Sequence, residues 1–322
     1  MTRARTASIS VQQGWDPARL PDLSGQRIVV TGANAGLGYF MSEQLAGAGA
    51  HIVLACRNEK RADAALAALR RRVPGASVER ISLDTADPAS VRAAAERILS
   101  FDRVDALVEN AGMVHPPRTR STTVDGHEIV LATNLLGHFA LAALTMPALE
   151  RTAAIVGRAR IVSMGSMASR LSGFRVDDLQ LERGYTGWRA YAQSKIAVQS
   201  FGFELDRRLR AAGSGVESLV AHPGYSIGGL SPRIPGVNEP SATKRFIDTV
   251  QGVMAQSKQR GAWAAVRAVA DADATGGQYW GPRFLVRGRP ALNAAPHSST
   301  DAAIAARLWA AAERYTGVPF TL

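Results

Sequence analysis

One cysteine, Cys56, stands in 322 residues. A lone thiol excludes an intramolecular disulfide framework and any cysteine-based zinc cluster, and it suits a reducing compartment, so a cytoplasmic location is expected. Aromatic residues make up 6% of the chain. They are too scattered among the arginines to form the stacking surface that single-stranded nucleic acid requires, so the net charge of +11 is read as a solvated surface and no nucleic-acid partner is expected. No apolar run approaches the roughly 18 residues that a membrane span needs, and the opening "MTRARTASISVQQGWDP" lacks the apolar core of a secretory signal. The expectation is a soluble, unprocessed chain. The six histidines (His51, His115, His127, His138, His222 and His297) show no ligand spacing, so no metal site is assigned. Lysine is scarce as well: of 38 basic residues only Lys60, Lys195, Lys244 and Lys258 are lysines.

A hydrophobic content of 46% supports a sizeable core. After a polar N-terminal extension (1–24) the pattern becomes regular. "RIVVTG", "HIVLAC", "SVERISL", "VDALVEN", "ARIVSM" and "GVESLVAHPG" are short runs rich in Val and Ile that read as buried parallel strands. Helical segments separate them, over Gly36–Ala48, Glu59–Arg72, Pro88–Leu99, Val124–Leu149 and Arg189–Ala211. This alternation predicts an α/β fold with a doubly wound, mostly parallel sheet of Rossmann type, forming one domain over 25–320. Past Pro223 the alternation breaks. The Gly/Pro/Ser-rich stretch over about 224–260, ending in a helix up to about Ser257, is expected to be a loop or lid covering the substrate. A helix near Ala262–Ala270, a short strand in "GGQYWG" and a last helix from about Thr300 to Tyr315 complete the chain.

Directly after the first strand stands "TGANAGLG". Gly32, Gly36 and Gly38 permit a tight turn and a close backbone approach to a pyrophosphate at a helix N-terminus, which predicts dinucleotide binding. At the end of the second strand, where an NAD-preferring fold places an acid, the chain has "ACRN". Arg57 there favours the 2′-phosphate of NADP over NAD. In "YAQSK", Tyr191 and Lys195 lie four apart on a helix and so share one face. A nearby ammonium favours the phenolate, which would tune the tyrosine for proton transfer.

The ordered set "TGANAGLG", Asp84, "NAG" at 110–112, Asn134, Ser166, "YAQSK" and "HPG" at 222–224 resembles the short-chain dehydrogenase/reductase family over about residues 25–320. "ACR" and the long interval from Ser166 to Tyr191 are similar to its retinol-dehydrogenase-like branch. The resemblance implies that Tyr191 is the catalytic acid/base, that Lys195 holds the nicotinamide ribose and lowers the tyrosine pKa, that Ser166 orients the substrate carbonyl, and that Asn134 anchors a proton-relaying water. It implies cofactor contacts from Gly32, Asn34, Gly36, Leu37 and Gly38; from Asp84 and Thr85 at the adenine; from Asn110, Ala111 and Gly112; from Tyr191 and Lys195; and from Pro223, Gly224 and Ile227. Two departures stand out. Glu109 replaces the first Asn of a common Asn-Asn-Ala-Gly, and Gly228 replaces a threonine that meets the nicotinamide carboxamide, which shifts weight onto backbone contacts from Ile227 and its neighbours.

The expected activity is NADP(H)-dependent interconversion of an alcohol and a ketone or aldehyde, with a lipophilic small molecule as the favoured substrate and Met113, Val114, Met164, Met167 and the stretch 171–188 as pocket walls. A non-catalytic NADP-binding regulator and an epimerase or dehydratase using the same tyrosine are the alternatives. A homo-oligomer is left open.

Overall fold

The computed structural model describes residues 15–322, so positions 1–14 of the expected N-terminal extension lie outside the described residues. The rest of that extension is already part of the body. Leu23 is buried, and its N–H donates to the Ala48 carbonyl at 2.8 Å.

The strands are β1 (Arg27–Thr31), β2 (His51–Cys56), β3 (Val78–Ser82), β4 (Ala106–Glu109), β5 (Ala159–Met164), β6 (Val216–Ala221), the two-residue pair β7 (Ser226–Ile227) and β8 (Gln256–Ser257), β9 (Tyr279–Pro282) and β10 (Pro290–Leu292). Eight of them form one sheet in the order β10-β9-β6-β5-β4-β1-β2-β3. Every pairing in it is parallel except β9 with β10, where Pro290 lies opposite Pro282. Side-chain alternation feeds two cores. Val29 joins the cluster that holds Leu107, Phe139 and Phe201, while Ile28 and Val30 join the one with Tyr39, Leu54 and Val266 on the other face.

The helices α1 (Gly36–Gly47), α2 (Glu59–Arg72) and α3 (Pro88–Leu99) match the sequence reading closely. Their starts are chemically marked. Asn58 caps α2 by accepting the Arg61 N–H, and Asp87 followed by Pro88 opens α3. The next helix begins later and runs longer than the expected Val124–Leu149. Gly126, at φ +86°, closes a turn that returns the chain to Glu128, whose carboxylate accepts the Val130 and Leu131 N–H groups. From there α4 (Ile129–Leu131), a π-turn (Ala132–Leu136) and α5 (Gly137–Val156) form one continuous run that ends at Gly157 in the left-handed region. That 28-residue run is long and apolar enough to cross a membrane, though its apolar stretches are broken by polar residues such as Asn134, His138 and Thr145. Within the fold 78% of its most apolar window is buried, and it contributes Phe139, Leu141 and Leu149 to the core.

The chain continues with α6 (Gly187–Ala211), α7 (Ala242–Val250), α8 (Lys258–Gly261), α9 (Trp263–Ala270), α10 (His297–Thr300) and α11 (Ala302–Thr316). The sheet order reverses between β1 and β4. A crevice therefore opens at their C-terminal ends, where Gly32 and Asn110 stand.

Candidate active site

β1 delivers the chain into the glycine-rich turn. Gly32 and Gly36 have φ of +65° and +59°, a conformation that favours glycine. A Cβ on Gly32 would come within 2.8 Å of the Ala111 Cα, and one on Gly38 within 2.5 Å of both the Gly32 carbonyl and the Asn110 Nδ2. These glycines are thus close-approach positions. Ala35 at the N-cap of α1 offers no side-chain acceptor, so the first-turn N–H groups remain available to an anion at the positive end of the helix. The cradle and the uncapped helix fit a dinucleotide pyrophosphate. Asn34 lies in the turn and Leu37 on the first turn of α1, where it packs beside Gly261.

The turn is braced from below. The Thr31 hydroxyl accepts the N–H groups of Asn110 and Ala111, both at 2.8 Å, and lies 2.9 Å from His138 Nε2. Burial holds His138 down at about 4, so it is neutral. With Nδ1–H donating to the Asn134 carbonyl at 3.0 Å, Nε2 is free to accept from Thr31. Asn110 donates from Nδ2 to the Thr31 carbonyl at 2.8 Å. Its side chain therefore ties β4 to the phosphate turn.

Arg57 leaves the end of β2 with its side chain 71% exposed and its Nη1 3.4 Å from Asp84 Oδ2. The two residues expected at the adenosine end are therefore adjacent. Asp84 Oδ1 accepts the Ala86 N–H, and the buried Thr85 places its carbonyl against Gly137, where no side chain could fit.

The second cluster is built by β5, the π-turn and α6. Thr186 caps α6, and Tyr191 lies one turn in. The Tyr191 hydroxyl donates to Ser166 Oγ at 3.2 Å, and Ser166 follows β5. Lys195, buried on the same face of α6, donates from Nζ to the Met164 carbonyl at 2.8 Å. Asn134 sits in the π-turn, a distortion that recurs at functional sites. Its Oδ1 accepts the Met113 N–H at 2.7 Å and its Nδ2 donates to Ser194 Oγ at 2.8 Å. A Cβ on Gly112 would lie 3.2 Å from Asn134 Oδ1 and 3.7 Å from Lys195 Nζ. Gly112, Asn134 and Lys195 therefore converge on one point.

Burial pushes the Tyr191 hydroxyl above the ordinary tyrosine value, opposed by the Ser166 hydrogen bond. Burial also brings Lys195 down to about 8. Its ammonium is committed to the Met164 carbonyl. Met164 itself, expected on the pocket wall, is buried in the core.

Beyond β6, His222 is buried, brought down to about 4, and hydrogen-bonded to Asn293 Oδ1 at 2.8 Å. Gly224, at φ +64°, passes so near the Val286 carbonyl that a Cβ would lie 2.4 Å from it. The Pro223 carbonyl accepts Ser226 Oγ and Gln256 Nε2, both at 2.8 Å, and Ile227 pairs with Ser257 across β7 and β8. The segment 224–260 thus returns to the site and docks on α1, where Gln44 Nε2 donates to the Gln259 carbonyl at 3.1 Å.

Sequence reasoning missed several supporting groups. Ser194 lies inside "YAQSK" without any signal of its own, and Glu109 stands out only as a departure from the family pattern. His138 falls four residues after Asn134 on the same helical run, a spacing that could have revealed it.

The sequence pattern of the short chain dehydrogenase family matches residues 26–228. The chain belongs to this family. Its members are oxidoreductases, and the matched residues include the glycine-rich turn, Asn134, Ser166, Tyr191 and Lys195. Polyprenol dehydrogenase of Mus musculus is 34% identical over 94% of this chain and 87% of its own length. Retinol dehydrogenase 13 of Homo sapiens is 34% identical over 92% and 86%. A short chain dehydrogenase/reductase, dpchH, of Colletotrichum higginsianum is 35% identical over 74% of this chain but only 64% of its own length. A crystal structure of an uncharacterized protein from Mycobacterium paratuberculosis superposes with a TM-score of 0.77 at 35% identity, covering 96% of this chain and all of that one.

Proposed function

We propose that the protein is an NADP(H)-dependent alcohol dehydrogenase or carbonyl reductase acting on a lipophilic small molecule. The observation that carries this reading is the Tyr191 hydroxyl held 3.2 Å from Ser166 Oγ, on the same helix face as the buried Lys195. NADP(H), when bound, supplies or takes up the hydride. The protein's own part is to hold the reacting oxygen and move a proton. Ser166 and Tyr191 present two hydroxyls to a carbonyl oxygen. Burial keeps Tyr191 protonated at neutral pH, which suits it to give its proton to the oxygen in the reductive direction. Lys195 and Asn134, meeting beside Gly112, stand behind the tyrosine as its ribose and proton contacts. Arg57, beside Asp84, offers a guanidinium for a 2′-phosphate, which supports NADP over NAD. Support for a lipophilic substrate comes from Val114, Leu171 and Trp188, which expose apolar side chains in the stretches flanking Met113, Ser166 and Tyr191.

The test is NADPH oxidation with aldehydes and ketones of increasing apolar length, in wild type and Tyr191→Phe. The variant should bind NADPH normally while turnover falls by roughly 10²-fold or more. Retained turnover in Tyr191→Phe would place the proton donor elsewhere. NADPH binding without turnover of any acceptor in the wild type would leave a cofactor-binding protein in place of an enzyme.

A further inference from the structure

Three of the four lysines have evident surroundings or partners. Lys60 is exposed on α2, Lys195 bonds the Met164 carbonyl, and Lys244 pairs with Asp248 at 3.1 Å. Lys258 is the exception. It begins α8, its main-chain N–H donates to Ser231 Oγ at 2.8 Å, and its side chain turns back towards the glycine-rich turn. Its Nζ lies 3.6 Å from where a Cβ of Gly36 would stand, and 3.7 Å from the same point on Gly228. Gly36 opens α1, and Gly228 follows Ile227 in the covering segment. One ammonium therefore spans the gap between the phosphate turn and that segment, in space that side chains at either glycine would enter.

Among the described residues this ammonium has no carboxylate within ion-pair distance. Asp248, the neighbouring acid, is already used, with Oδ1 on Lys244 and Oδ2 accepting the Gly229 N–H at 2.6 Å. Lys258 is partly buried, and burial together with the Lys244 charge disfavours its charged form, opposed in part by the Asp248 carboxylate. It also faces the uncapped, positive end of α1. Two positive features converge here, and among the described residues no carboxylate pairs with the Lys258 ammonium.

We propose that Lys258 is a ligand for the cofactor pyrophosphate, delivered by the covering segment, so that the bound cofactor latches the 224–261 segment onto α1. This rests on the dinucleotide site proposed above. A pyrophosphate between the α1 N–H groups and Nζ would neutralise both positive features and add a charge-assisted contact from the lid side. The link would be reciprocal: what holds the segment down holds the cofactor, and the cofactor holds the segment.

Calorimetric binding and lysine acylation footprinting test this without reference to turnover. Wild type should bind NADP+. Lys258→Gln should weaken NADP+ by about 10- to 100-fold, the range of a charged hydrogen bond, while adenosine 2′-monophosphate, which has no pyrophosphate, binds both proteins equally. Lys258→Arg, keeping the cation, should recover most of the affinity. In the wild type, saturating NADP+ should shield Lys258 from acetic anhydride, adenosine 2′-monophosphate should not, and Lys244 should react alike throughout. The footprint is read on the native chain, so it decides the matter even if Lys258→Gln fails to fold. If wild type binds neither NADP+ nor NAD+, the dinucleotide site itself is wrong. If wild type binds NADP+ but Lys258 stays equally reactive, or Lys258→Gln binds as tightly, the latch is overturned and the dinucleotide site stands.

Discussion

Arg57 shows how little of a side chain's role follows from its type. In a chain with 38 basic residues an arginine at a strand end is unremarkable; its position beside Asp84 gives it meaning. A carboxylate at the adenosine end would repel a 2′-phosphate, and a guanidinium 3.4 Å away offsets that charge and offers its own donors. Arg57→Ala should therefore weaken NADPH by about 1.5 kcal/mol, the lower end for a charged hydrogen bond because the side chain is largely exposed and screened. NADH binding should barely change. Titrating both cofactors into both proteins checks this, and equal losses would make the arginine a structural partner of Asp84 only. Lys195 teaches the converse. Its spacing from Tyr191 was legible, but its hydrogen bond to the Met164 carbonyl and the cost of its burial were not, because both depend on what β5 brings across from another part of the chain.

At the scale of elements, two of the three glycines of α1, Gly38 and Gly47, have opposite roles. Gly38 abuts the Gly32 carbonyl and the Asn110 amide at 2.5 Å from its would-be Cβ, and the carbonyl belongs to backbone that cannot swing aside. Gly47, in the last turn, has nothing within 4 Å. Gly38→Ala should cost about 1–3 kcal/mol as an overpacked contact and impair NADPH binding, whereas Gly47→Ala should gain about 0.5–1 kcal/mol by restricting the unfolded chain. Thermal unfolding of the two variants gives the comparison; a Gly38→Ala protein as stable as wild type would contradict the close approach of α1 to the β1 turn. The glycine spacing announced this turn in the sequence, as the apolar runs announced the six strands β1 to β6. What stayed hidden was set by distant contacts. The antiparallel edge strand β10 is three residues long and pairs through Pro290 and Pro282, so it carries no strand-like pattern. The β7 and β8 pair is two residues on each side, thirty residues apart. The π-turn at Asn134 leaves the helical periodicity around it intact, so periodicity alone does not show it.

Across the whole molecule, buried ionisable groups set opposing slopes of stability with pH. His138 and His222 are buried and held at about 4, below the ordinary 6.5. The unfolded chain binds their protons first, so stability falls as pH drops from about 6.5 towards about 4. Glu109 acts in the other direction. It is fully buried at the end of β4, Ser163 donates to its Oε2 at 2.6 Å, its Oε1 has no partner, and burial raises it from 4.5 to about 8. Between those values the native state keeps a proton that the unfolded chain has released, so stability falls as pH rises from about 4.5 to about 8. Glu109→Gln isolates this contribution. The amide can still accept from Ser163, and its unpartnered NH2 adds a penalty that does not vary with pH. The histidine contributions are common to both proteins and cancel in the difference. The stability of Glu109→Gln relative to wild type should therefore climb steadily between pH 5 and pH 8, by up to a few kcal/mol, since each tenfold change in proton affinity on folding is worth about 1.4 kcal/mol. Denaturant unfolding across that range measures it. A difference that stays flat with pH would mean that the carboxyl ionises as readily in the folded protein as in the unfolded chain, and that water or a cation reaches the end of β4.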